Sequence, residues 1–145
     1  MDSLFSNGQN FYVYLHPKTN KFLFLPWDQD FSFGRFGRGG ATSDLSIHYP
    51  WRNQSNFLTR VFNTPAFKQL YLKRLREFNT EFFQPERFAN IVDEIAAAIK
   101  QAVAEESAYR ATSLERITTG EYSSIKAFAA QRARSLASQL AAVDK

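Results

Sequence analysis

Two carboxylates separated by a single residue are the sequence feature most suited to chemistry. Asp28 and Asp30 stand in the run Pro26-Trp27-Asp28-Gln29-Asp30, between an apolar segment and a glycine-rich stretch. Magnesium prefers oxygen ligands and is usually held by one or two carboxylates together with substrate phosphates. If the chain stays extended here, both side chains project to the same side and could reach one ion. The spacing suits a divalent cation but is a weak signal alone, and the alternative is that Asp28 caps a turn while Asp30 is solvated.

The elements that must position these carboxylates are two short segments rich in aromatic and branched residues. They predict a β-hairpin over residues 10–27, with the turn at residues 17–20, Pro-Lys-Thr-Asn. Pro pre-sets φ for such a turn, and Asn tolerates the left-handed conformation. Apolar side chains alternate onto both faces of the hairpin, and two strands cannot cover themselves. We therefore expect both faces to be covered.

The rest of the chain is predicted to be mainly helical. Residues 28–52 form a long connection, and helical periodicity begins at residue 53. Thr64-Pro65 predicts a helix start with a capping hydroxyl, Pro85 predicts another, and a last helix is expected near residues 124–143. Apolar stripes on the first two of these helices are expected to be core: Phe67, Leu70, Tyr71, Leu75, Phe78 and Phe82, then Phe88, Ile91, Val92, Ile95, Ile99 and Val103.

These elements predict an α+β fold in which helix dominates. We expect a single partial domain over residues 1–145, with the hairpin and metal-site loop in residues 1–52 and a helical bundle in residues 53–145.

Composition narrows the possible classes of protein. In 145 residues, 44% are hydrophobic and 15 are Phe, so the chain should fold instead of remaining disordered. No apolar run approaches the ~18 residues of a membrane span, and the first residues do not resemble a signal peptide. The absence of Cys excludes disulfides and thiolate zinc sites but names no compartment. A net charge of +4 is compatible with an anionic ligand such as ATP or nucleic acid, and equally with an ordinary surface.

The hairpin and the acidic motif together resemble the signature of the CotH (spore coat protein H) kinase family. The matching run is Asn10-Phe11-Tyr12-Val13-Tyr14, a turn, and then Phe22 to Asp30 with its Pro-Trp-Asp-x-Asp ending. The similarity extends upstream to Asp2-Ser3 and downstream through the helical segments, and so covers essentially the whole chain. The hairpin motif is the specific part, since the helical segments would be poor evidence alone.

The resemblance implies an atypical protein kinase that uses Mg²⁺ and ATP to phosphorylate Ser in a protein partner. It implies that Asp2 orients the substrate hydroxyl and accepts its proton, as a kinase catalytic-loop Asp does. It also implies that Asp28 binds the metal, with Asp30 as an auxiliary ligand. Asn10 matches the family's Asn at the hairpin start, whereas Asn7 has the kinase-like interval of five residues from Asp2. Either Asn is a candidate second metal ligand.

The resemblance further implies that this chain corresponds to the C-lobe of a protein-kinase-like fold, with the N-lobe missing. The phosphate-contacting Lys, its Glu partner and the loop over the phosphates would lie upstream of Met1. Because phosphoryl transfer depends on positioning and charge stabilisation, we expect the isolated chain to be inactive and to lack measurable ATP affinity. We expect it to associate with the upstream lobe or with itself.

Two other functions deserve comparison. The stretch Gly34–Gly40 resembles Arg/Gly-rich single-strand binders, but one copy is common in plain loops, so no nucleic-acid partner is predicted. A non-catalytic interaction or structural protein of the spore-coat or cell-surface type is the main alternative, because the hairpin's apolar faces could bind another chain. Family members include spore-coat and exported proteins, and the sequence does not identify the compartment or the substrate.

Overall fold

The computed structural model describes residues 3–5, 8–29, 32–34, 42–51, 55–119 and 124–143. Within them, a two-stranded antiparallel hairpin is followed by five helices that hold 63% of these residues. The strands are β1 (Phe11–His16) and β2 (Lys21–Pro26), and the helices are α1 (Asn56–Phe62), α2 (Pro65–Glu81), α3 (Pro85–Glu106), α4 (Ala108–Thr119) and α5 (Ile125–Val143). The predicted α+β class is confirmed.

The hairpin forms where the sequence predicts it. Its register runs from Phe11 opposite Pro26 to His16 opposite Lys21. Asn20 adopts the left-handed conformation at φ 53°, and its N–H donates to the carbonyl oxygen of His16 at 2.8 Å. The His16 Nδ1 atom also accepts the N–H groups of Lys18 and Thr19, each at 3.3 Å. One side chain and one αL residue therefore close the turn.

Helices α2 and α3 begin at Pro65 and Pro85, as predicted. Thr64 does not make the predicted capping bond, because among the described residues its hydroxyl accepts no N–H and only donates, to the carbonyl oxygen of Arg60 at 3.0 Å. Helix α1 ends at Phe62, and its last carbonyls have no donor inside the helix, so the nearby hydroxyl satisfies one of them. Helix α4 was not predicted as a separate element.

The chain divides into two compact units, Met1–Lys68 and Gln69–Lys145. Ile47, Leu58 and Phe62 are buried in the first unit, where the Phe62 ring contacts those of Phe5, Trp51 and Phe67. The second unit has its own core, with α3 packed against α4 and α5. Its buried apolar side chains are Leu72, Phe83, Val92, Ala129, Leu136 and Leu140. The single partial domain expected from the sequence remains a prediction.

The expectation that the apolar stripes form the core is wrong for most of α2 and α3. Only Val92 is buried on α3, while Ile91, Ile95 and Ile99 are exposed. On α2, Leu70 and Phe78 are exposed as well, and so is Phe82 directly after the helix. Periodicity identifies an apolar face, but whether that face is buried depends on what packs against it. Among the described helices, none combines the length and apolarity that a membrane crossing requires.

Candidate metal site at the end of the hairpin

The backbone brings Asn10 and Asp28 to the same end of the hairpin. The strand ladder ends at Phe11 and Pro26, and one further bond follows, from the N–H of Trp27 to the carbonyl oxygen of Asn10 at 2.9 Å. Asp28 comes directly after Trp27, so it lies one residue beyond a position paired with Asn10. The family-derived assignment of both residues to one site therefore has a backbone basis.

Both residues adopt the left-handed backbone conformation. The φ angle is 55° at Asn10 and 53° at Asp28, and Asn and Asp enter this region more readily than other non-glycine residues. The chain therefore turns out of the strand at Asp28. The premise that it stays extended there is wrong, and alternation along a strand cannot place Asp28 and Asp30 on one side.

Gln29, directly after Asp28, takes part in two hydrogen bonds. The Gln29 side-chain amide donates to the carbonyl oxygen of Trp27 at 2.6 Å, and the Gln29 carbonyl accepts the N–H of Ser32 at 3.0 Å. Phe33 has a φ of 55°, which is rare and strained for a bulky side chain, and Gly34 follows at 71°. Such strain persists only where the surroundings enforce it, and it is common at functional sites.

Aromatic contacts hold this end of the hairpin in place. The rings of Tyr12 and Trp27 meet edge to face with centroids 6.0 Å apart. On the opposite face of the sheet, the Phe24 ring lies 6.1 Å from Phe11 and 5.9 Å from Phe57 of α1. Since Leu58 and Phe62 of the same helix are buried, α1 joins the hairpin to the core of the first unit.

Of the five residues assigned from the sequence, the structure brings Asn10 and Asp28 together. The other three, Asp2, Asn7 and Asp30, lie outside the described residues, so their assignments remain predictions. Sequence reasoning missed Gln29, whose amide closes the turn beside Asp28. The only signal was its position between the two carboxylates.

The donor set present suits a hard cation. Asp28 is exposed, and its carboxylate and the Asn10 amide both offer oxygen. Across the described part of the chain, no three His, Cys, Asp or Glu side chains are grouped to hold a metal ion. Magnesium does not need such a cage, because it usually retains waters and takes the rest of its ligands from one or two carboxylates and substrate phosphates.

The fold and the site together define the class of this protein: an α+β protein with oxygen donors for a cation at the end of a hairpin. The family model described as CotH kinase protein matches residues 1–136. The chain therefore belongs to the CotH kinase family, and membership indicates a kinase-like function. No curated protein and no solved structure matches the chain at a significant level.

Proposed function

We propose that this chain supplies the metal-binding end of a phosphotransferase site that moves the γ-phosphate of ATP to a Ser hydroxyl of a protein partner. The observation that carries the proposal is the convergence of Asn10 and Asp28 at one hairpin end, fixed by the Trp27–Asn10 hydrogen bond. It coincides with membership of a kinase family.

Each residue has a distinct proposed task. Asp28, with Asp30 as auxiliary, would hold Mg²⁺, and the amide oxygen of Asn10 or Asn7 would complete the protein ligands without adding charge. The bound ion would offset the negative charge of the β- and γ-phosphates. Asp2 accepts the proton of the Ser hydroxyl. The Ser oxygen bonds to the γ-phosphorus as the bond between that phosphorus and the oxygen of the departing ADP breaks. The left-handed turn at Asp28 supports a special role for this position.

Magnesium binding by the purified chain tests this proposal. Calorimetric titration with MgCl₂ should give weak binding that falls at least about tenfold in Asp28→Asn, since one full charge is removed from the site. Asn is the better replacement than Ala, because Ala would add backbone strain at φ 53°. Asp28→Gly, which relaxes the backbone and also removes the charge, should lose binding to the same extent.

Asp44→Asn is a matched control, because Asp44 is an exposed carboxylate of the same unit outside the hairpin. It should bind Mg²⁺ as the wild type does. Equal binding by wild type and Asp28→Asn would contradict the proposed role of Asp28. Equal losses in the Asp28 and Asp44 variants would indicate only a general effect of surface charge.

A non-catalytic interaction protein is the second candidate function, and the exposure of the hairpin favours it. Nearly every residue of both strands is exposed, including aromatic side chains of a kind that is usually largely buried. The Mg²⁺ titration separates the two candidates, because a purely structural hairpin gives no binding that depends on Asp28.

A further inference from the structure

The two faces of the hairpin have different surroundings. Side chains alternate across a strand, so the register places Tyr12 with Leu25 and Tyr14 with Leu23 on one face, followed by Trp27. These five residues are called the outer face. The opposite face includes Phe24, whose ring contacts Phe57 of α1. The outer face is therefore the one directed away from α1.

The outer face is apolar, continuous and exposed. Its five side chains are 41–60% exposed, and the edge-to-face contact of Tyr12 with Trp27 gives it an ordered centre. Among the described hairpin residues of this face, the ionisable side chains other than the Tyr hydroxyls are His16 and Lys21 at the turn end, and the exposed Asp28 follows Trp27 at the other end. Contiguous apolar patches of this kind mark interaction surfaces, and an isolated two-stranded hairpin is only marginally stable without cover.

We propose that the outer face is an interface between two copies of this chain, packed face to face about a two-fold axis. Five half-exposed large side chains present roughly 500 Å² per copy, or about 1,000 Å² in total, which is the size at which specific interfaces begin. Two-fold packing makes a patch complementary to itself. The abundance of Tyr and Trp also suits an interface core.

The distribution of charge favours this arrangement. Lys21 lies at the turn end of the hairpin, and a two-fold axis across the strands places the two turn ends on opposite sides of the interface. The two ammonium groups are then about one hairpin length apart, roughly 20 Å, at opposite ends of the interface, and neither is desolvated against the other. A two-fold axis along the strands would bring the two Lys21 side chains together, so charge repulsion favours the axis across the strands.

Addition of another strand at the hairpin edge is the competing mode of association. It depends on backbone hydrogen bonds and leaves the outer face uncovered. Substitutions of outer-face side chains would then change association little. Face-to-face packing makes the opposite prediction, because a charge in the patch would meet its own copy across the axis.

Sedimentation equilibrium of the full chain at low to high micromolar concentration tests the proposal. The wild type should form a dimer, and Leu25→Lys should raise the dimer dissociation constant at least about tenfold. Tyr12→Thr should also raise the dimer dissociation constant, and the hairpin should be retained because Thr also favours strands. The tryptophan emission of the wild type should shift to shorter wavelength on association, because Trp27 becomes buried. Circular dichroism identifies variants that keep the fold.

Phe22→Lys is the matched control, because Phe22 lies on the opposite face and is 66% exposed. It should leave the dimer intact, and because association is measured without Mg²⁺, this proposal and the metal proposal fail independently. A wild type that stays monomeric throughout would overturn the inference. The inference would also be overturned if Phe22→Lys weakened the dimer as much as Leu25→Lys does. It would be overturned as well if outer-face variants that fold correctly still formed the dimer.

Discussion

Tyr71 is a residue whose ionisation the fold changes. Burial in the second unit raises the pKa of Tyr71 from its ordinary value of 10.0 to about 12, and the nearby Arg132 cation opposes this with a smaller effect. The unfolded chain therefore releases this proton first as the pH rises. Stability that depends on neutral Tyr71 is present below pH 10 and is lost between about pH 10 and 12.

The prediction is a steeper alkaline loss of stability in the wild type than in Tyr71→Phe. Because the ring is partly exposed, solvent screening reduces the difference to the order of 1 kcal/mol across this window. Urea unfolding followed by circular dichroism at several alkaline pH values measures it. Tyr109→Phe is the control, since Tyr109 is 79% exposed, and it should behave as the wild type. Parallel curves for wild type and Tyr71→Phe would contradict the prediction.

At the same scale, the candidate site was only partly predictable from the sequence. Asp28 could be identified, and Asn10 named as one of two candidate Asn ligands beside Asn7, because carboxylate and amide oxygens suit Mg²⁺ and the surrounding residues resemble a family motif. Their left-handed backbones could not be predicted, because φ depends on how the chain leaves the strand ladder. Asn and Asp have a propensity for the left-handed conformation, yet an extended backbone at these positions was equally compatible with the sequence.

Among the elements, α1 depends on a single capping side chain. The hydroxyl oxygen of Ser55 accepts the N–H of Leu58 at 3.2 Å, and α1 is only seven residues long. Ser55→Ala should destabilise the first unit by about 1 kcal/mol, whereas Ser55→Asp should retain the cap. Both Trp residues of the chain, Trp27 and Trp51, lie in this unit. Tryptophan fluorescence during urea unfolding therefore measures its stability, and equal midpoints for Ser55→Ala and wild type would contradict the cap's role.

The elements were predictable where local chemistry determines them. Proline fixed the starts of α2 and α3, and the Pro-Lys-Thr-Asn turn fixed the hairpin. The division between α3 and α4 was missed, because Ser107 is a weak break between two helical patterns. The exposed face of α3 was also missed, since burial depends on distant parts of the chain and not on the period of Ile91, Ile95 and Ile99.

For the whole molecule, the question is whether this chain performs any step of phosphoryl transfer alone. Asn10 and Asp28 offer oxygen acceptors, and a carboxylate repels the phosphates of ATP until a cation is bound. Besides a metal site, phosphoryl transfer requires positively charged groups around the phosphates and correct positioning of the reacting groups. We therefore expect no measurable ATP affinity in calorimetry, with or without Mg²⁺. Tight ATP binding by the wild type would contradict this expectation, and Asp28→Asn serves as the comparison.

The hairpin also has a consequence for synthesis on the ribosome. Its strands are joined by a four-residue turn, so all its pairings are local and it can form within microseconds of emerging. At typical elongation rates, the remaining helices follow over roughly ten seconds. During that interval the outer face is available to neighbouring nascent chains on the same message. Co-translational encounter between copies would be the earliest moment at which this protein meets a partner.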